Sequence, residues 1–188
     1  MRLTVFLCAL AAYAQTQSPT PPAAGLEPAW DIAVVLQEIG AHAERLLPVL
    51  NQLDAHAWVA KGASDTFVDQ LESSRQQALA VAGEAKALAR NPEKLSGGLQ
   101  LFFRMESLET MVASLQEGAR KYQTPQAAQA LAAVYAEGGA NRDRFRSYIV
   151  NLAAEREHQF EVMDREAQRC RATLMATPPP PKTPGRKK

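Results

Sequence analysis

From Ala29 to Met175 the apolar residues of this chain recur three and four positions apart, with no alternating β-branched run among them. That is the period of the α-helix, each helix turning one stripe inward. The first seam reads Ile32, Val35, Ile39, Ala43, Leu46, Leu50, Leu53 and Ala57, and predicts one helix from about Ala29 to Ala60, ended by Lys61-Gly62. Ser64-Asp65 offers capping oxygens for a second helix that carries Phe67, Leu71, Ala78, Val81, Ala85 and Leu88. Asn91-Pro92 marks a further boundary, and Gly97-Gly98 stands as a point of interruption. A third helix follows with Leu101, Met105, Leu108, Val112, Leu115, Ala119 and Tyr122 on one face.

Thr124-Pro125 opens a short helix, Gly138-Gly139 ends or kinks it, and the longest stretch runs from Asn141 to about Met175. The expectation is therefore all-α: an up-and-down bundle of four long helices plus a short connecting helix over residues 125 to 137. The alternative is a single helix from Pro125 to Met175. At 1.5 Å per residue it would run about 75 Å, well beyond its partners.

The two ends of the chain read differently. Residues 1–14 have one positive charge at Arg2, an apolar run from Leu3 to Ala12 and the small-x-small triplet Ala12-Tyr13-Ala14. That is the layout of a cleaved secretory signal. The run falls short of the roughly 20 residues a membrane span needs. Residues 15–28 are a proline-rich tether, and residues 177–188 are a proline-rich tail that closes with Arg186, Lys187 and Lys188. Neither segment buries enough apolar surface to offset its ordering entropy, so both are expected to be disordered.

From Leu26 to Ala176 the chain carries 16 basic and 20 acidic residues. Such a mildly acidic body argues against nucleic acid as a partner. Export argues the same way. Signal cleavage would remove Cys8 and leave Cys170 as the only thiol, so no disulfide framework supports the fold.

The candidate chemical residues are few. His42 and His56 lie fourteen residues apart, about 21 Å along an unbroken helix. A zinc ion needs its ligands about 2 Å away, so the two do not share an ion. Glu38 stands one turn before His42, a pair that would need ligands from another helix to hold a metal. The plainer reading is a weak surface pair beside the apolar stripe. Glu155 and His158 form the i, i+3 unit that di-iron bundles use twice, yet it occurs once here. At about 100° per residue, Phe145, Leu152, Met163 and Cys170 define the inward stripe of the last helix, and His158 falls about 120° from it. No C-x-x-C-H attaches haem, and Met105, Met111 and Met163 read as core filler. G-x-S-x-G, H-E-x-x-H and phosphate-cradling glycine loops are absent. No catalytic, cofactor or metal site is expected.

One residue breaks the stripe. Arg156 lies about 40° from Leu152, with Gln159 close by. If buried, its guanidinium needs a carboxylate, for which Glu106, Glu109 and Glu38 are candidates. If the helix overhangs the bundle end, it is wet. Cys170 also has two readings: a small buried hydrophobe, which the wheel favours, or an intermolecular disulfide that joins two copies where the helix projects. The function expected is that of an exported, noncatalytic bundle of the bacterial envelope, working through contacts with a protein partner or an anionic surface. The basic tail, Lys182 and Arg186 to Lys188, has two readings: a contact with such a surface, or an idle solubilising tail, which is favoured. The rival is a metal- or haem-binding bundle.

Overall fold

The computed structural model describes residues 26–176; the expected signal, most of the expected tether and the basic tail lie outside the described residues. The described chain is all-α, without strands. Its helices are α1 (Ala29–Leu50), α2 (Ala55–Ala60), α3 (Thr66–Leu88), α4 (Leu95–Gly118), α5 (Pro125–Glu137) and α6 (Gly139–Ala176), with a π-helical turn at Ala119–Gln123 between α4 and α5.

The bundle closes as a ring. Helix α3 packs on α1 and on α4, while α5 and α6 both pack on α1 and α4 from the other side. The short helix α5 is thus more than a connector. It forms one half of the fourth wall, and the start of α6 forms the other. Its start is the one the sequence announces: Thr124 accepts from the Ala127 N–H at 3.1 Å, and Pro125 sits in the first turn. The core between the walls holds Ile32, Leu36, Leu46, Leu50, Leu101, Leu115, Leu131, Phe145, Tyr148 and Leu152, all essentially solvent-free.

Three expectations need correction. The first helix does not reach Ala60. Pro48 lacks the N–H that would bond one turn back, which weakens the last turn of α1. The Asp54 side chain then caps a new start by accepting from the Ala57 N–H at 3.0 Å. The break turns Leu53, Ala55 and Trp58 together into the core.

Gly97-Gly98 does not interrupt anything. Helix α4 runs straight through it, and Gly98 is a contact point: a Cβ there would lie 2.3 Å from Ile149 Cδ1 on α6. Finally, α6 buries only Phe145, Tyr148, Ile149 and Leu152. Met163 is 65 % exposed, and Cys170 is exposed with it. The apolar stripe continues along the helix after the bundle has ended.

The chain enters the bundle slightly before α1. Leu26 packs on the core, and the Glu27 carboxylate receives Arg144 Nε at 2.9 Å. This ties the last residues of the tether to α6.

Candidate functional site

The candidate surface is the projecting half of α6. From Glu157 to Ala176 every residue is exposed, a rod of about 30 Å at 1.5 Å per residue. Phe160 and Leu174 are each 71 % exposed, Met163 65 % and Met175 89 %. Phe160, Met163, Ala167, Cys170 and Leu174 step by three, four, three and four along one side, the pattern of a helix seam with nothing seated on it. Scattered single apolar side chains on a surface need no explanation, but a contiguous stripe does. Most helical stability in proteins comes from tertiary packing of an apolar face, and this face packs on nothing among the described residues.

Arg156 and Gln159 stand where the bundle gives way to the rod. The Arg156 side chain is 34 % exposed; it donates to Glu93 Oε2 at 3.2 Å and to Gln159 Oε1 at 2.8 Å. Its partner is on the turn before α4, not among Glu106, Glu109 and Glu38. Glu106 and Glu109 are instead taken by Arg146, ten residues earlier, at 2.8 Å and 2.5 Å, with Asp143 completing the cluster at 2.8 Å. Those bonds, that from Glu106 foremost, push the Arg146 guanidinium pKa above its ordinary value. The carboxylates were identifiable from sequence; the arginine they hold depended on how far along α4 the start of α6 lies.

The metal-ligand candidates are dispersed. Glu38 is exposed on α1, and His158 is exposed on α6. Glu155 accepts from Gln159 Nε2 at 2.7 Å. Among the described residues no three of His, Cys, Asp and Glu come together as a metal-binding group. His56 is exposed on α2, on the far side of the break from His42.

His42 departs from its expected place at the stripe margin. It is 5 % exposed, and its Nε2–H donates to the Val134 carbonyl on α5 at 2.7 Å. Glu38 is not its partner. Burial pushes its pKa below the ordinary histidine value, helped by the Arg142 and Arg45 charges and opposed by the Val134 bond and Glu137. Arg142 lies 3.9 Å over the Tyr135 ring and donates to the Tyr135 carbonyl at 2.9 Å.

Gly138 makes this arrangement possible. A Cβ there would stand 2.5 Å from His42 Nδ1 and 2.8 Å from Arg142 Nη1. The glycine pair breaks the fourth wall where a histidine from α1 must fit between α5 and α6. Beside it lies a cavity of about 20 Å³, lined by His42, Leu108, Tyr135 and Arg142 among others, with room for about one water. Burial first, then the Glu109 charge, pushes the Tyr135 phenol pKa up to about 12, against the Arg142 and Arg146 charges. The cluster locks three helices together, but the cavity is too small for a substrate.

Comparison of the chain with protein-family models, with curated proteins and with solved structures found no match.

Proposed function

We propose that the protein is an exported, noncatalytic helical bundle of the bacterial envelope that works by contact, with the projecting half of α6 as its contact element. The observation that carries this is the unpartnered seam from Phe160 to Leu174, of which Phe160 and Leu174 are each 71 % exposed. A bundle that served only to fold would end its last helix where the core ends, at Leu152. The twenty exposed helical residues from Glu157 to Ala176 leave apolar area in water, at a cost of about 25 cal/mol per Å² until something covers it. The layout of residues 1–14 supports export.

The test is photo-crosslinking in living cells. A photoreactive amino acid in place of Met163 should give a discrete crosslinked species in the envelope fraction. The same group in place of Val150, 68 % exposed on the outer face of α6, should not. Equal, diffuse labelling from both positions would reject the contact reading.

A further inference from the structure

We propose that the projecting half of α6 pairs with the same segment of a second copy, antiparallel, about a two-fold axis near residue 165. The proposal rests on the contact reading above and names its partner.

Direction comes first. At about 100° per residue, Met163, Cys170 and Leu174 lie within about 40° of Leu152, so the seam faces the side of α6 on which the bundle sits, past the bundle's end. A parallel partner laid on that side would run back into the first bundle, and its own bundle would run into the first α6. An antiparallel partner avoids both collisions. Its bundle lies beyond the first chain's Ala176, and its own last residues reach the end of the first bundle near Arg156 and Glu93.

Side-chain size agrees with that direction. In the register centred on residue 165, Phe160 faces Cys170 and Met163 faces Ala167, each twice by symmetry. Large side chains thus meet small ones in both of these layers, as a close-packed seam needs, while Leu174 falls level with Arg156 at the edge of the pairing. A self-complementary patch of this kind is what a two-fold interface requires.

Charge gives an independent reason. Residues 155–164 hold Glu155, Glu157, Glu161 and Asp164 against Arg156 alone, whereas residues 166–176 hold Glu166 against Arg169 and Arg171. Antiparallel pairing sets the acidic half on the basic half and brings Glu157 level with Thr173 of the second copy, between its Arg171 and its C-terminal residues. It also opposes the two helix dipoles. Parallel pairing would set acidic on acidic. From Glu157 to Ala176 there are four acidic and three basic residues. A segment so nearly neutral suits a copy of itself better than an anionic surface.

Sedimentation velocity of the purified exported protein should show a concentration-dependent dimer. Met163→Arg should weaken self-association at least tenfold while the helical melting of the monomer stays unchanged, since the side chain touches no core residue. Register is tested with an added oxidant. Phe160→Cys should form a covalent dimer through Cys170 of the second copy. The unmodified protein should not, because its two Cys170 residues stand about 15 Å apart along the axis, too far for a disulfide. A dimer that survives Met163→Arg overturns the proposal, as does oxidative linkage of the unmodified protein through Cys170. A protein that stays monomeric at all concentrations also overturns it. If that monomer is still crosslinked from position 163 in the envelope, the contact reading stands with a foreign partner; if it is not, both fall.

Discussion

Trp58 donates its indole N–H to Gln123 Oε1 at 3.0 Å, joining residues 65 positions apart at the closed end of the bundle. The same oxygen accepts from the Asp54 N–H at 3.1 Å, while Gln123 Nε2 donates to the Gln52 carbonyl at 2.9 Å. One glutamine in the π-helical turn therefore fixes the break between α1 and α2. Trp58 is fully buried, with the Phe67 ring edge-on at 5.6 Å. Gln123→Ala would leave the indole N–H without that partner, at a cost of about 1–3 kcal/mol. Urea unfolding followed by tryptophan fluorescence measures it. A change within about 0.5 kcal/mol, the range of ordinary surface sites, would show that the bond carries no weight.

Leu108 tests the core at mid-height. It is 3 % exposed on α4 and lines the small cavity beside His42. Truncation would enlarge a void that already exists, so Leu108→Ala should destabilise by about 2–5 kcal/mol. A smaller loss would mean that the surrounding helices collapse onto the space. Comparing urea midpoints at a constant slope separates this from a changed unfolded state.

The helices were legible in the sequence because one-sided burial writes a 3.6-residue period, and α3 and α5 lie where that period and their boundary residues put them, while α4 keeps its seam but starts at Leu95, between Asn91-Pro92 and Gly97-Gly98. Periodicity does not report where a partner stops. The seam through Leu152, Met163 and Cys170 keeps its phase without a break, yet only Leu152 has a bundle to face. The inward placement expected for Met163 and Cys170 failed for that reason. The break after Leu50 escaped detection because Leu53 and Ala57 continue the apolar spacing, although Pro48 and Asp54 marked it. His42 was misplaced because its neighbour is Val134, 92 residues away. Only the packing of α5 on α1 reveals that pairing.

Gly138 separates two reasons for a glycine. Its φ of −84° is open to any residue, and alanine would favour the helix on propensity alone. The objection is contact, since the added methyl would lie 2.5 Å from His42 Nδ1. Gly138→Ala should therefore destabilise by about 1–3 kcal/mol, as forced overpacking does. Combining it with His42→Ala, which removes the ring, should recover part of that loss. Strict additivity of the two would place the glycine's role elsewhere.

His42 makes the bundle sensitive to mild acid. Its folded pKa lies below the ordinary value of about 6.5, first because it is buried and then because Arg142 and Arg45 face it; the Val134 bond and Glu137 act in the opposite sense. As pH falls, the unfolded chain takes up the proton before the folded one. The stability held by the neutral ring is thus complete above about pH 6.5 and is lost as the pH drops towards the folded pKa, by at most about 1.4 kcal/mol per unit. Glutamine at this position cannot titrate, and its side-chain amide can still reach the Val134 carbonyl. His42→Gln should flatten the stability profile between about pH 5 and 7 relative to the unmodified protein. Carboxylates titrating at the lower edge contribute equally to both proteins and cancel in the difference. If the two profiles run parallel through that window, His42 is protonated as readily folded as unfolded, and its burial does not control the acid response.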